Sequence, residues 1–536
     1  MFKSLGRLLP LALLLLTLWG CSGGGGDAPA GDSTNKGETW EISYGISNPW
    51  DSLMPYNSVS GSNYSRIIYD KIYDRLVYVQ ADGTCLPRGA SSWESADEGM
   101  SIVFHLDEKA AFHDGTPVTA QHWADTMALI TNPDCPALGR ASFSDLAGTD
   151  ESGMLIAGET LGVTAEGDYT LKLTMKYPVI VEEYLTDRNR EFYVLPTHLL
   201  ADIPLEAVME AEIWTAPIGS GPCIFQSEIV GSSLILSANK NYHLGAPDFD
   251  TMKITVIDKA NLLTALLSGD LDYYTFGNSV SEDNAGLAEE AGFTVIAGEI
   301  PTTFYELMLN NESISEVKIR HAISLSLDRE QLCQQNAGSQ GMVTYSSILP
   351  DSPYAGIMVW QAQSGEADEA RMQLEESGYD GRVYTLACTS ARADTAALLQ
   401  QQLAQAGISV EITTVDSATM FSGMYEGIYD MALASHTPAI TPLWFVDSRF
   451  RPDNNLFRVQ DLEGYVSRIS AIVEEQDMRE RKRLVGILEA YLLDEMPFVP
   501  LWFSTQLHLE SKTISGIDYP AASFSNENVW EWTRAQ

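Results

Sequence analysis

Apolar residues recur along this chain in two spacings, every second residue in some segments and every third or fourth in others. The first spacing is typical of strands with one buried face, and the second of helices with a buried stripe. The predicted strands are 101–106, 168–175, 233–237, 252–257, 408–413 and 498–503. The predicted helices are 67–79, 260–267, 317–336, 394–406 and a late helix around 484–492. Because the two types are mixed without strict alternation, the pattern predicts mixed α/β lobes.

Length and charge narrow the classes of function. The 536 residues exceed what one core holds, so two or three lobes are expected. The formal net charge is −41, and this excludes a nucleic-acid partner, because phosphate binding needs a positive surface. It also excludes polybasic attachment to anionic lipid. Such acidity is typical of an exported protein that stays soluble, and we expect a monomer.

The N-terminus predicts export. Lys3 and Arg7 precede an apolar run at 8–18, the pattern of a secretory signal, and this run is too short to span a bilayer. The sequence LWGC that ends at Cys21 resembles a bacterial lipobox, so residues 1–20 are expected to be removed and Cys21 to be lipidated. A plain signal with an unmodified Cys21 is the alternative. Residues 21–39 are rich in Gly and polar residues and predict a flexible tether.

The other five cysteines do not predict a metal site, because none is in a CxxC pair. These are Cys85, Cys135, Cys223, Cys333 and Cys388. An extracytoplasmic location permits disulfides, but the pairing stays open. Because the number of cysteines is odd, at least one thiol has no partner among the other four.

No catalytic constellation is visible, so no enzyme activity, metal or cofactor is expected. His113 lies in a turn with Gly115, and a structural role is expected for it. Gly219 and Gly221 predict a close approach of two backbones near a crossing between lobes. Acidic pairs such as Glu182-Glu183 are expected on solvated helix faces.

Four blocks of sequence carry a resemblance to a known family. They are YDKIYDRLV at 69–77 with DGTCLP at 82–87 and SWE at 92–94; FHL at 104–106 with AFHDGTPVTA at 111–120; PIGSGP at 217–222 with ANKNY at 238–242 and LSGDLD at 267–272; and LNN at 309–311 with VKIRHAI at 317–323 and LDR at 327–329. Together they resemble the solute-binding proteins of peptide and nickel ABC transporters, family 5. The blocks keep the family's order along the chain.

The resemblance implies an α/β, bilobed fold of the periplasmic-binding-protein type. It is the large type II class with an extra subdomain, in which two mixed-sheet lobes are joined by hinge segments. It places the first lobe at 40–68, 189–303 and 501–536, an inserted subdomain at 69–188, and the second lobe at 304–500. The lobes of such proteins close on a solute in the cleft between them.

The resemblance also implies which residues line the cleft. In the peptide binders, a segment similar to 429–437 runs beside the ligand and uses backbone groups. The candidate ligand-binding residues are Ser58, Val59, Ser60, Phe304, Tyr305, Asp416, Ser435, His436, Thr437, Trp444 and Trp502. For each aromatic residue, packing in the core is an equally good explanation.

One departure from the family pattern bears on the cargo. The peptide binders hold the peptide's amino group with an Asp, and Ala439 stands at that position here. A buried ammonium without a carboxylate is costly, so the preference for a charged amine should be lost. The resemblance therefore implies a lipid-anchored, extracytoplasmic carrier that delivers a peptide or similar short polar solute to an ABC permease and its ATPase. A nickel chelate or an oligosaccharide as cargo, or a ligand sensor uncoupled from transport, stays open.

Overall fold

Strands and helices follow one another irregularly through the computed structural model, as the apolar pattern predicts. The structure describes residues 39–57, 63–80, 82–188, 192–258, 261–274, 282–298, 301–349, 352–354, 365–436, 438, 441, 449–451, 454–505, 507–518 and 527–535. Its helices are α1 (Asn63–Ile72), α2 (Ala120–Thr131), α3 (Val181–Arg188), α4 (Leu262–Ser268), α5 (Glu282–Glu290), α6 (Val317–Ser326), α7 (Arg329–Ala337), α8 (Ala367–Ser377), α9 (Ala393–Ala406), α10 (Ser417–Glu426), α11 (Leu462–Glu474) and α12 (Met478–Glu495).

The strands begin at the first described residues and continue almost to the last. They are β1 (Glu41–Ile46), β2 (Val77–Val79), β3 (Cys85–Pro87), β4 (Ala90–Ala96), β5 (Ser101–Leu106), β6 (Val163–Ala165), β7 (Thr170–Thr174), β8 (Cys223–Ile229), β9 (Ser233–Ala238), β10 (Thr251–Val256), β11 (Tyr273–Tyr274), β12 (Phe293–Ala297), β13 (Thr303–Leu309), β14 (Gly341–Val343), β15 (Val383–Cys388), β16 (Ser409–Thr414), β17 (Met431–His436), β18 (Phe450–Arg451), β19 (Asn454–Asn455), β20 (Phe498–Ser504), β21 (Leu507–Ser511), β22 (Ile514–Ser515) and β23 (Thr533–Arg534).

Seven strands from distant parts of the chain form the first large sheet, in the order β12-β21-β11-β1-β10-β9-β8. β1 is parallel to both of its neighbours, β10 and β11. Ile42, Tyr44 and Ile46 of β1 are fully buried, and they share one face because side chains alternate along a strand. β1 is the first strand of the described residues and β21 is one of the last, so segments far apart in the sequence share this sheet.

Four strands in the order β4-β5-β7-β6 form an antiparallel sheet within residues 69–188. Helices α2 and α3 belong to the same stretch, which we call the insert. Phe104, Trp123 and Leu171 of the insert lie in the same buried cluster as Ile42 of β1. The insert is therefore packed onto the first lobe through a continuous core.

Six strands in the order β14-β20-β13-β17-β15-β16 form the second large sheet. Helices α6 to α9 cover one face, where Leu307 and Leu433 are buried. Helices α10 to α12 cover the other face, where Met308 and Ala434 are buried. Because the strand layer lies between two helical layers, the second lobe has a hydrophobic core of its own.

The chain crosses between the two large sheets twice. The first crossing lies between Ala297 and Thr303, and the second between Ser504 and Leu507. Strand β20 pairs with β13 through Ser504, so residues 501–504, which the predicted first lobe includes, lie in the second sheet. Two crossings are what the hinge arrangement of the expected fold requires.

Two predicted helices are wrong in extent. The helix expected at 67–79 ends at Ile72, and residues 77–79 form β2 instead. The helix expected at 317–336 is two helices, because Leu327 has extended backbone angles and Asp328 caps α7 by accepting a hydrogen bond from Gln331 N at 2.9 Å. The other predicted strands and helices are confirmed within a few residues.

Neither a membrane span nor a disulfide is found within the described ranges. No helix there has both the length and the apolar character that crossing a bilayer requires. The five cysteines outside the N-terminal segment are all free thiols.

Candidate functional site

The candidate site lies at the end of the second sheet where the chain crosses to the first lobe. β13 starts there, β20 ends there, and β17 runs antiparallel to β13 and ends at His436. Three of the predicted residues are brought together, because Ser435 and Trp502 each lie opposite Tyr305 in the strand register. This is also the carboxyl end of the parallel strand β15, the usual position of ligand sites in such sheets.

An aromatic and cationic group occupies one face of this sheet end. The rings of Tyr305 and Trp502 are stacked, with centroids 4.6 Å apart and planes 17° from parallel. The guanidinium of Arg392 lies 5.1 Å from the centre of the Tyr305 ring and donates a hydrogen bond to Ser435 Oγ. Burial lowers the pKa of Arg392, and the nearby Tyr305 partly offsets this decrease. Among the described residues, Arg392 has no carboxylate partner.

A buried acid–base group occupies the opposite face. Glu306 is fully buried and accepts hydrogen bonds from His436 Nε2 at 2.9 Å and from Arg449. Burial raises the pKa of Glu306, but Arg449 and then His436 outweigh it, so the pKa of this carboxyl is lowered overall. Burial and the charge of Arg449 lower the pKa of His436 to about 4. His436 is therefore neutral near neutral pH, and the charges of Glu306 and Arg449 cancel.

Two other predicted residues have structural roles. Phe304 is fully buried and packs on Phe503, with ring centroids 5.1 Å apart, so it belongs to the core. Asp416 caps α10 by accepting hydrogen bonds from Thr419 N at 2.9 Å and from Thr419 Oγ1 at 2.7 Å. It follows β16, which is three strands from β13 in the sheet.

The remaining predictions fall on residues outside the described ranges. They are the lipidation site Cys21, the early loop Ser58, Val59 and Ser60, the late residues Thr437 and Trp444, and the departure at Ala439.

Sequence reasoning missed Arg392, Glu306 and Arg449. Arg392 had a usable signal, because it lies just before the predicted helix at 394–406. Glu306 had a weaker one, since a charged residue in an otherwise apolar strand usually has a buried partner. No signal in the sequence pairs Arg449 with Glu306, because Arg449 lies 143 positions after Glu306 and only the fold brings them together.

The turn of the second sequence block, at 113–117, is structural, as predicted. His113 Nδ1 accepts a hydrogen bond from Gly219 N at 3.2 Å, and Nε2 donates to Gly221 O at 3.1 Å. Both ring nitrogens are thus occupied, and burial lowers the pKa of His113. No group of three metal-ligating side chains is found among the described residues.

The close backbone approach predicted for Gly219 is confirmed, but its location is not. A Cβ on Gly219 would lie 1.9 Å from Ile72 O, and one on Gly221 would lie 2.7 Å from Lys71 O. The two glycines therefore pack on the end of α1 inside the first lobe, away from the crossings between lobes.

Comparison with protein families gives one match that covers most of the chain. The model of bacterial extracellular solute-binding proteins, family 5, matches residues 85–456. The oligopeptide-binding protein AppA of Bacillus subtilis (strain 168) is 25% identical over 368 residues, and the match covers 62% of each chain. The periplasmic oligopeptide-binding protein OppA of Escherichia coli (strain K12) is 24% identical over 525 residues, 91% of each chain.

Solved structures share the fold at lower identity. AppA from Bacillus subtilis in complex with a nonapeptide has a TM-score of 0.75 at 20% identity, covering 92% of this chain and 99% of that one. NikZ from Campylobacter jejuni in complex with Ni(L-His) has a TM-score of 0.74 at 16% identity, with coverages of 92% and 99%. These likenesses confirm the bilobed α/β fold, and the family match confirms the resemblance. The chain belongs to the family 5 extracellular solute-binding proteins of bacteria.

Proposed function

We propose that this protein captures a short peptide, or a similar solute with a free carboxylate, between its two lobes and delivers it to an ABC permease. The observation that carries the proposal is Arg392, a half-buried cation at the cleft end of the second sheet. A guanidinium prefers a carboxylate as its partner and binds it through two parallel hydrogen bonds. Its described partners are only a hydroxyl and an aromatic face.

The surroundings of Arg392 support a ligand rather than a purely structural role. Trp502 is 1% exposed, and its Nε1 finds no hydrogen-bond partner within the described residues. Buried donors are almost always paired in folded proteins, so a buried donor without a described partner, in the same group as a cation without a described carboxylate, is typical of a binding site. The stacked Tyr305 and Trp502 rings supply the apolar wall that small-molecule sites use.

The related proteins support a peptide as cargo, since two of them are named for oligopeptides and one was solved with a nonapeptide. NikZ with Ni(L-His) keeps a chelate as an alternative. We infer from the N-terminal pattern that Cys21 carries a lipid, that residues 21–39 tether the protein outside the cytoplasm, and that it acts as a monomer without catalysis. Neighbouring genes for permeases and ATPases would support transport, whereas a neighbouring kinase gene would support sensing.

Thermal unfolding of the purified protein against a ligand panel tests this function. The panel contains di- to hexapeptides, nickel with and without histidine, and cello- and xylo-oligosaccharides. A ligand present at ~100 times its dissociation constant stabilises the folded state by about 2.7 kcal/mol, which raises the unfolding midpoint.

We expect peptides to raise the midpoint and oligosaccharides to leave it unchanged. If nickel with histidine is the only ligand that raises the midpoint, the cargo is a metal chelate rather than a peptide. The ligand then still carries the carboxylate expected to bind Arg392. Stabilisation by oligosaccharides alone would contradict the role given to Arg392.

A further inference from the structure

The insert and the second lobe touch each other directly, through residues other than Tyr305, Trp502 and Arg392. Gln476 Nε2 donates to Pro178 O at 3.1 Å, and Thr441 Oγ1 donates to Asp187 Oδ2. A third contact is an ion pair between Arg481 of α12 and Glu183 of α3, with 2.9 Å between Nη2 and Oε2. Because the insert is packed onto the first lobe, these contacts join the two lobes without passing through a ligand.

Among the described residues, the side-chain partners of Glu183 all belong to the second lobe. Its side chain is 13% exposed, and within the described residues its carboxylate contacts two groups, Arg481 and the hydroxyl of Tyr354, which donates to Oε1. Both partners lie on the other side of the interface from Glu183. Any opening of the lobes therefore takes both partners away from this carboxylate.

Arg481, in contrast, is fixed before it meets Glu183. Its Nη1 donates to Ile472 O at 2.8 Å and to Glu475 O at 2.9 Å, at the end of α11, and its Nε donates to Tyr354 OH at 2.9 Å. The guanidinium thus keeps its position within the second lobe and presents Nη2 to the insert. A preorganised donor loses little entropy when the carboxylate arrives.

No sequence pattern indicates this contact, since the pair Glu182-Glu183 is expected on a solvated helix face. That expectation is correct for Glu182, which is exposed, and wrong for Glu183. The neighbouring residue is therefore a matched control for the same chemistry on the same turn of α3.

We propose that Glu183, Arg481 and Tyr354 form a latch that holds the lobes closed and sets how slowly cargo leaves, without touching the cargo. The inference rests on closure of the two lobes, as does the proposed function, but not on the identity of the cargo. A charge pair that is largely shielded from water acts mainly on the rate at which a closed complex opens. Glu183, Arg481 and Tyr354 are positioning residues for ligand retention.

The test compares Glu183→Gln and Glu183→Lys with Glu182→Gln and Glu182→Lys in the full-length protein. Small-angle X-ray scattering measures the radius of gyration without added ligand, and release of a preloaded pool of random tri- to hexapeptides measures retention. Tyr354→Phe removes only the hydroxyl and serves as an independent variant, and circular dichroism checks that each variant is folded.

We expect Glu183→Gln to increase the radius of gyration and to speed peptide release about tenfold. A factor of this size is expected when one charged contact is lost. Glu183→Lys should increase the radius of gyration and the release rate further, and Tyr354→Phe should increase them less. Both Glu182 variants should leave the two quantities unchanged. An unchanged radius in both Glu183 variants, or equal changes at position 182, would overturn the latch. If the peptide pool does not bind at all, the peptide function fails, and the scattering data alone decide the latch.

Discussion

His243 lies between two carboxylates in the buried part of the first lobe. Its Nε2 is 3.1 Å from Asp74 Oδ2, its Nδ1 is 3.0 Å from Asp107 Oδ2, and its side chain is 1% exposed. Burial lowers the pKa of His243, but Asp74 and then Asp107 outweigh it, so the pKa is raised above its ordinary value. The imidazolium donates from both nitrogens and ties three separate segments together.

Replacing His243 by Gln should therefore destabilise the protein most at low pH. A raised folded-state pKa contributes stability that is fully present below the unfolded value of about 6.5 and is lost as pH rises through the folded value. The free energy of unfolding of His243→Gln should fall short of wild type by about 2 kcal/mol near pH 6, the size of a charged hydrogen bond. The difference should shrink as pH rises.

Urea denaturation at several pH values measures this difference. His105 is the control, because it is half exposed and 3.7 Å from Glu94. His105→Gln should change the unfolding free energy by less than about 0.5 kcal/mol throughout. A deficit for His243→Gln that stays constant with pH would show that packing, and not charge, is what His243 contributes.

At the scale of elements, the end of α1 is fixed by the backbone of the Gly219–Gly221 segment. Gly221 N donates to Ile72 O at 2.9 Å, and Ile72 O lies where a Cβ of Gly219 would be. The helix therefore stops at Ile72, and the following residues turn into β2. This contact explains why apolar spacing alone predicted a helix that continues to 79.

Gly219→Ala should cost about 3 kcal/mol of unfolding free energy, because the methyl group would displace backbone atoms rather than a flexible side chain. Chemical denaturation measures the loss. Gly286→Ala is the matched control, since nothing lies within 4 Å of the added Cβ. Alanine is a better helix former than glycine, so this variant should raise the unfolding free energy by up to about 1 kcal/mol. A Gly219→Ala protein as stable as wild type would mean that α1 and this segment can move apart.

The elements that the sequence predicts best are those fixed by local pattern. Strand β5 matches its prediction at both ends, and α9 differs by one residue at its start, because alternation and a terminal Gly407 are local signals. The break between α6 and α7 was missed, since a single extended residue at Leu327 leaves the apolar spacing intact. In the site, the aromatic pair Tyr305 and Trp502 was predictable from the family resemblance alone.

Contacts between side chains from distant segments could not be predicted from the sequence. Glu306 meets Arg449, and Glu183 meets Arg481, only because two sheets and an insert bring far parts of the chain together. Charge counts do not reveal such pairs when 73 acidic residues are present. The same limit applies to Arg392, whose importance depends on the absence of a carboxylate partner among the described residues.

At the scale of the whole molecule, a strongly acidic protein presents a cation at the point where its lobes meet. The net charge of −41 favours solubility, while Arg392 supplies local positive charge that Glu306 does not cancel, because Glu306 is already matched by Arg449. Cargo that bridges the two lobes favours the closed form over the open one. Retention then depends on the ligand and on the latch together.

Calorimetric titration with one peptide in two forms tests the central claim most directly. The peptide is the one that raises the unfolding midpoint most, used with a free C-terminal carboxylate and as its C-terminal amide. Wild type and the control Arg371→Gln, which removes an exposed charge on α8, should bind the free acid at least about tenfold more tightly, whereas Arg392→Gln should bind both forms alike. Equal affinity of wild type for acid and amide, or a preference that survives in Arg392→Gln, would contradict the account.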